Sequence, residues 1–399
     1  MLSKVMKKSA VEMVYYSIVP LSGNTLTEQL ENCYIQLNQY LNEHEINKTN
    51  VVKQTLFVTD TNLTDYIKNK TILIDSSASF FQCNIPTSIV PQPPLKNILV
   101  SIEFVLIPNS EKTEIHLKKT GKNEYIVIQT PKYIQLVAGG LGSDREISDI
   151  YTQSMDAFEQ MHNILKAENM DFSNVIRQWN YIEKITDYND KNQHYQIFND
   201  VRSAFYSNSH FIHGYPAATG IGMETGGIII DFIAIKENKN MTILPIKSPV
   251  QSDAHQYTKK VLAHNDIISG NIAETTPKFE RAKAIVSGNS CLIHVSGTSA
   301  IKGQLSLEAN DASTQTNFTL ESIYQLITNE NLQKQGINSV HSKANPCYFR
   351  VYVKNSSDYP KVKSACEKYF KDVQTIYLKA DICRSELLVE VEGVFTIDL

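Results

Sequence analysis

The sequence lacks the common signatures of nucleotide and metal binding. No GxGxxG segment leads from a strand into a helix, no Walker motif occurs, and the ten histidines contain no HExxH pair. The six cysteines form neither a CxxC motif nor a Cys/His cluster with zinc spacing. We therefore predict no metal and no cofactor, and we expect reduced thiols in a cytoplasmic protein.

Long apolar runs and an excess of positive charge are missing as well. The stretch 226–235 is interrupted by Asp231 and is far shorter than the roughly 20 residues of a membrane span. The basic start at residues 1–8 is followed by Glu12 and has no small-residue cleavage site, so we predict no signal peptide. A net charge of −4 argues against a general nucleic-acid or membrane-surface binder.

The chain does contain enough apolar material for a large core. Its 399 residues are 42% hydrophobic and 20% charged, which predicts a globular protein of two or three domains.

The sequence pattern predicts one structural unit that occurs three times along the chain. The segment NVVKQ at 50–54 is echoed by NVIRQ at 174–178, at an offset of 174 − 50 = 124. Amphipathic patterns predict three matching helices, at about 25–43, 150–167 and 314–328. Each unit also ends in a β-branched strand that contains one or two acidic residues, at 97–105, 227–234 and 387–394.

The predicted order in each unit is therefore strand, an optional second strand, helix, strand, helix and strand. This order indicates a mixed sheet backed by two helices, an α+β layer. We place an N-terminal unit at 1–110, a middle unit at 123–236 and a C-terminal unit at 283–399. Residues 237–282 form a long connection, which is either a functional loop or a linker.

The C-terminal unit contains VSG at 295–297, Arg-Ser at 384–385 and VEVE at 389–392. In these motifs it resembles the Rid/YjgF (L-PSP) family, which shows a VSG strand, then Arg-Ser, then a strand reading V/I-E-I-E. Members are homotrimers of chorismate-mutase-like barrels with ligand clefts between neighbours. The resemblance implies tandem Rid-like units arranged as an intrachain pseudo-trimer that is monomeric.

Six segments of the middle and C-terminal units carry a narrower resemblance: VIRQWNYI at 175–182, YQIFNDVR at 195–202, PAATGIG at 216–222, PKFERA at 277–282, VSGT at 295–298 and CRSELLVEVE at 383–392. In this order they resemble the chorismatases, which carry Rid-like units and cleave pyruvate from chorismate. The sequence departs from the family at Gln304, where a His is usual, and at Thr275-Thr276, where an Arg is usual.

The resemblance implies that Glu390 is the general acid that protonates the enolpyruvyl methylene, while Arg384 binds a substrate carboxylate. From the strand pattern alone, Glu390 could instead face solvent.

Further candidates for the substrate site are Cys383, Gly297, Tyr257 and Arg350. The resemblance implies that Cys383 lines the pocket and marks the branch that forms 3-hydroxybenzoate. Gly297 would open space at the same wall, Tyr257 would cover the ligand, and Arg350 would supply a second cation. Loop packing for Tyr257 and a solvated face for Arg350 are the alternatives.

The function that the resemblance implies is cofactor-independent conversion of chorismate to pyruvate plus 3-hydroxybenzoate, or a related hydroxybenzoate or dihydrodiol acid. Two alternatives remain open. One is a Rid-type enamine or imine hydrolase, which also uses an Arg for the substrate carboxylate. The other is a non-catalytic Rid-like ligand-binding protein.

Overall fold

A computed structural model describes residues 11, 13–96, 98–143, 149–238, 240–258, 275–338 and 342–399. The basic start at residues 1–8 and residues 259–274 of the long connection lie outside the described residues. No described helix is long and apolar enough to cross a bilayer.

The first unit alternates strands and helices. Its elements are β1 (Val14–Ile18), α1 (Leu26–Glu43), β2 (Val51–Val58), α2 (Leu63–Phe81), β3 (Thr87–Val90) and β4 (Val100–Leu106). Helix α1 begins where predicted, because Thr25 and Glu28 form a reciprocal capping box at its first turn.

The middle unit repeats this order behind an added hairpin. Its elements are β5 (Glu114–Thr120), β6 (Asn123–Gln129), β7 (Tyr133–Leu141), α3 (Ile150–Ala167), β8 (Val175–Glu183), the short pair β9 (Tyr188–Asn189) and β10 (Asn192–Gln193), α4 (His194–Tyr206), β11 (Ala217–Met223) and β12 (Ile228–Glu237). Helix α3 matches its predicted bounds, and the Asp149 side chain caps it.

The third unit has the same plan. Its elements are β13 (Met241–Ile246), β14 (Ala282–Ser287), β15 (Ser290–Ser299), the short pair β16 (Ile301–Lys302) and β17 (Leu305–Ser306), α5 (Ala312–Leu326), α6 (Asn329–Lys334), β18 (Asn345–Val353), α7 (Tyr359–Tyr369), β19 (Gln374–Lys379) and β20 (Val389–Asp398). Strand β13 lies inside the segment that the sequence analysis assigned to the connection.

The three sheets share one strand order. They run β1-β4-β2-β3, β7-β12-β8-β11 and β15-β20-β18-β19, with β6-β5 and β14-β13 extending the second and third sheets. The predicted α+β class is confirmed, but each unit also has a parallel strand before its closing strand, namely β3, β11 and β19. These strands escaped prediction because they are short, as in β3, or contain glycine, as in β11.

Each sheet buries both faces. One face packs on its own helices, which gives each unit a separate core. The other face joins a central core shared by all three units, which includes Phe57, Trp179 and Tyr352. The middle strands β2 and β8 are therefore buried along almost their whole length, including their polar residues.

Three buried ion pairs cross this central core. Each joins a closing strand of one unit to a middle strand of another: Lys53 to Asp231 (2.8 Å), Arg177 to Glu392 (2.5 Å) and Arg350 to Glu103 (2.5 Å). All six side chains are at most 4% exposed. Since a buried charge is costly without a partner, each pair constrains which two units lie side by side.

Candidate active site

A cavity of about 890 Å³ opens between the middle and third units. The middle unit contributes residues at the start of α4, including Tyr195 and Asn199. The third unit contributes β15, residues 305–310 and the segment 383–390, and the connection contributes residues on both sides of its undescribed part. Five predicted site residues line this cavity: Glu390, Arg384, Cys383, Gly297 and Tyr257.

Glu390 lies on β20 with its side chain directed into the cavity wall. It is only 4% exposed, and the Ser299 hydroxyl donates a hydrogen bond to its Oε2 at 3.0 Å. No cation in the described part of the chain forms an ion pair with it. Burial is the main reason that the pKa of Glu390 rises to about 8, with a further contribution from the Glu392 carboxylate. Glu390 therefore holds a proton at neutral pH and can act as an acid.

Gly297 makes room for this carboxyl group. It lies in a bulge of β15, where the pairing with β20 slips between Val295 and Thr298. A Cβ atom at Gly297 would collide with Oε1 of Glu390 and lie 3.0 Å from the Thr219 methyl group. Any larger residue here would displace the acid.

Arg384 reaches the same cavity because the chain turns just after it. The Leu387 N–H donates to the Arg384 carbonyl at 3.2 Å, which closes a turn before β20 begins. Without that turn, six residues of extended strand would separate Arg384 from Glu390 by about 20 Å. The guanidinium donates from one nitrogen to the Gln304 carbonyl (3.0 Å) and to Ser306 Oγ (3.1 Å).

Arg281 is a second cation in the cavity, and the sequence analysis did not select it. It is 3% exposed and donates to the Ser252 carbonyl at 3.0 and 2.6 Å and to the Tyr257 hydroxyl at 2.5 Å. The ring of Tyr257 lies 5.7 Å from this guanidinium and 5.5 Å from that of Arg384. A signal was present, because Arg281 belongs to the PKFERA segment.

Arg350 lies outside the cavity. It is 1% exposed in the central core, where it holds Glu103 and donates to the Tyr181 hydroxyl at 2.8 Å. The alternation of residues along the strand showed which residues share a face with Arg350. It could not show whether that face lies in a ligand cleft or in the core between the units. Arg281 therefore stands where Arg350 was expected, as the second cation of the cavity.

Both departures from the family pattern have local hydrogen-bond partners. Gln304 Oε1 accepts from the Thr258 N–H (2.9 Å) and hydroxyl (3.0 Å), which anchors the segment that carries Tyr257. Thr275 donates from its hydroxyl to Asp200 at 2.6 Å. The two positions thus hold the connection against the units on either side of the cavity.

Cys383 lines the cavity beside Arg384. Desolvation and the neighbouring Glu390 carboxyl raise the pKa of its thiol to about 12. The thiol therefore stays protonated and is a poor nucleophile. Burial likewise raises the pKa of the Tyr195 hydroxyl across the cavity, so that it too keeps its proton.

Within the described ranges, no three His, Cys, Asp or Glu side chains lie together as a metal site. The cavity contains two guanidiniums, the protonated carboxyl group of Glu390, the carboxyl groups of Glu308 and Glu386, and several hydroxyls and amides. The two guanidiniums and the protonated Glu390 suit a small ligand that carries negative charge and accepts a proton.

Comparisons with known proteins point to one family. The family model "Chorismatase FkbO/Hyg5-like, N-terminal" matches residues 109–234. A 3-hydroxybenzoate synthase of Streptomyces hygroscopicus is 31% identical over 254 residues, which cover 61% of this chain and 69% of that protein. A chorismatase of Streptomyces rapamycinicus is 29% identical over 180 residues, covering 45% of this chain and half of that protein.

A solved structure has the same overall fold. The crystal structure of a chorismatase superimposes with a TM-score of 0.66 over 96% of this chain and 98% of the other, at 20% identity. The likeness therefore extends over all three units, including the first, which showed no family segment in the sequence.

The state of Cys383 gives a prediction about its reactivity. A pKa of about 12 leaves very little thiolate at pH 8, and the thiolate is the reactive form. We expect iodoacetamide to modify Cys383 at least about 100-fold more slowly than the exposed Cys83, as followed by peptide mass spectrometry. Comparable rates at the two positions would contradict the protonated, inert thiol.

Proposed function

Because this chain belongs to the chorismatase family, we propose that it converts chorismate to pyruvate and 3-hydroxybenzoate. The observation that carries the proposal is the buried, protonated Glu390 in a cavity that also contains the guanidiniums of Arg281 and Arg384. Chorismate has two carboxylates and an enolpyruvyl group, so it needs cations for binding and an acid for cleavage.

In the proposed mechanism, Arg281 and Arg384 hold the carboxylates and Glu390 delivers its proton to the terminal methylene of the enolpyruvyl group. The carbon next to the ether oxygen becomes oxocarbenium-like. The bond between the ring and this oxygen then breaks, its electron pair stays with oxygen, and pyruvate leaves.

The neighbouring ring hydroxyl attacks the ring carbon that loses pyruvate and gives up its proton, so that its oxygen bridges two ring carbons. The bond from this oxygen to its original carbon then breaks, and the ring proton lost on aromatisation is balanced by protonation of the oxygen. The proton from the hydroxyl replaces the one that Glu390 gave up, so this route consumes no water. Attack by water instead would give the dihydrodiol acid. The resemblance associates Cys383 with the aromatic branch, and the 31% identical relative is named a 3-hydroxybenzoate synthase.

This acid–base chemistry needs no cofactor, so we propose that the chain acts without one. All six cysteines are free thiols, which suits a reducing compartment, and we propose that the protein works in the cytoplasm.

We also propose that the three units, bounded near 1–110, 123–236 and 283–399, form a pseudo-trimer within one monomer. Two observations support it: the common strand order of the three sheets, and three buried ion pairs that each join a different pair of units. Light scattering should then give a solution mass near 45.1 kDa, and a stable trimer of chains would contradict the proposal.

The decisive test of the function is pyruvate release from chorismate. Replacing Glu390 by Gln preserves size but removes the acidic proton, so the turnover number should fall about 10²–10⁴-fold with the fold intact. For the unmodified protein, activity should be high at neutral pH and should decline as pH rises past about 8, because Glu390 then loses its proton. Coupled detection of pyruvate measures the turnover number and its pH dependence, and mass spectrometry identifies the aromatic product.

A matched control is Glu367→Gln, which makes the same change at an exposed position of α7 and should leave the rate of pyruvate release unchanged. Near-normal turnover in Glu390→Gln would mean that Glu390 is not the acid. If the unmodified protein releases no pyruvate, imine hydrolysis or ligand binding becomes the function to test.

A substitution at Arg384 can distinguish an effect on substrate binding from an effect on the chemical step. Lysine keeps the positive charge but lacks the planar fork that grips a carboxylate. Losing one charge-assisted hydrogen bond should raise KM for chorismate about 10-fold or more in Arg384→Lys, with kcat changed by less than about threefold. An unchanged KM in steady-state kinetics would remove Arg384 from the substrate site.

A further inference from the structure

The third unit carries two buried acids on its closing strand, where the other units carry one. Glu390 and Glu392 are both at most 4% exposed and share one face of β20. The first and middle units bury only Glu103 and Asp231 on β4 and β12. Only one of the two acids in the third unit can therefore correspond to those of the other units.

The register of the strands identifies Glu392 as the corresponding acid. In every unit the middle strand has one extra residue in a bulge, and the acid of the closing strand pairs with the residue three positions later. The extra residues are Val52, Ile176 and Cys347, and the pairs are Thr55 with Glu103, Trp179 with Asp231 and Arg350 with Glu392. Glu390 is thus an additional acid two residues earlier, where the other units have Ser101 and Ile229.

The two acids have opposite surroundings. Glu392 accepts hydrogen bonds from Arg177 (2.5 Å), from the Trp179 indole N–H (2.9 Å) and from the Thr219 hydroxyl, and it lies 3.3 Å from Arg350. Glu390 has the Ser299 hydroxyl and no ion-pair partner among the described side chains. Arg177 is therefore paired with Glu392 and not with Glu390.

Arg177 nevertheless lies close to Glu390. Its guanidinium donates to Thr219 Oγ1 at 2.7 Å, and the same oxygen accepts from the Gly297 N–H at 3.0 Å. Gly297 in turn lies against the Glu390 carboxyl group, so closely that a Cβ atom at this position would collide with Oε1. A short chain of contacts thus runs from Arg177 through Thr219 and Gly297 to the acid.

We propose that Glu392 is a positioning residue for the acid: by holding Arg177, it leaves Glu390 without an ion-pair partner and able to keep its proton. The inference rests on the proposed function, since it explains how the acid of that reaction stays protonated. It also means that Glu392, despite having no contact with the cavity, is part of what makes this cleft reactive.

Several groups act on Glu390 from the elements packed around it. Glu392 on its own strand and burial favour the protonated form, whereas Arg177 from β8 and Arg281 favour the carboxylate. Cys383 and Tyr195, which also face Glu390, keep their protons and remain uncharged at neutral pH. Changing either member of the Arg177–Glu392 pair therefore changes the balance between the protonated form and the carboxylate of Glu390. Loss of Glu392 favours the carboxylate, and loss of Arg177 favours the protonated form.

The test compares the two halves of this pair through the pH dependence of pyruvate release. In Glu392→Gln, the freed charge of Arg177 stabilises the Glu390 carboxylate, so the alkaline decline of kcat/KM should move down by about one pH unit. In Arg177→Gln, Glu392 keeps its contact with Arg350 and its charge, so the decline should move up by about one pH unit. If the two substitutions only damaged the structure, pyruvate release would slow, but the pH at which kcat/KM declines would not shift in opposite directions in the two variants.

The matched control is Asp231→Asn, which breaks the corresponding ion pair between the first and middle units, where the closing strand buries no second acid. It should leave the pH of the decline unchanged even if it destabilises the fold. If one variant of the first pair does not fold, the sign of the shift in the other decides. A decline that stays in place, or moves the same way in both variants, would overturn the proposal. Absence of pyruvate release by the unmodified protein would instead overturn the proposed function.

Discussion

The interaction on which the structure depends is the set of three buried ion pairs in the central core. Each pair brings an acid from a closing strand against a cation from another unit, in a region with almost no exposure to water. Breaking such a pair from one side typically costs about 3–5 kcal/mol, because the remaining charge stays buried. Replacing a whole pair by apolar residues can cost nothing, so the pairs are better understood as fixing arrangement than as adding stability. They are not interchangeable, since one uses lysine and two use arginine.

The reactive acid follows from this arrangement. A strand presents every second residue to the same face, so an acid two positions before Glu392 must enter the same buried region. Among the described side chains no cation forms an ion pair with this acid, because Arg177 pairs with Glu392 and Arg350 is held by Glu103 and Glu392. Burial without a partner is the condition that keeps a carboxyl group protonated. The chemistry of the site is thus a consequence of how the charges in the core are shared.

Local signals made much of this predictable from the sequence. Amphipathic periodicity located α1 and α3, and the acidic closing strands located β4, β12 and β20. Glu390 and Arg384 came from a motif continuous in sequence, and both line the cavity. What depends on distant contacts was missed. Arg281 becomes a site residue only because Ser252 and Tyr257 hold it there, and Arg350 leaves the site only because Glu103 of another unit faces it.

Carrying three units in one chain allows the contacts between the units to differ, which identical subunits cannot do. Each closing strand retains the acid that holds the units together, so that position is constrained by the ion pairs. The position two residues earlier is free of that constraint, and it holds a serine in the first unit, an isoleucine in the middle unit and a glutamate in the third. The first two residues carry no charge into the core. Only in the third unit does the strand bury a second acid, and the loop before that strand supplies Arg384 to the same cavity. Assembly and reactivity are in this way assigned to two positions on the same face of one strand, and the cleft between the middle and third units combines them.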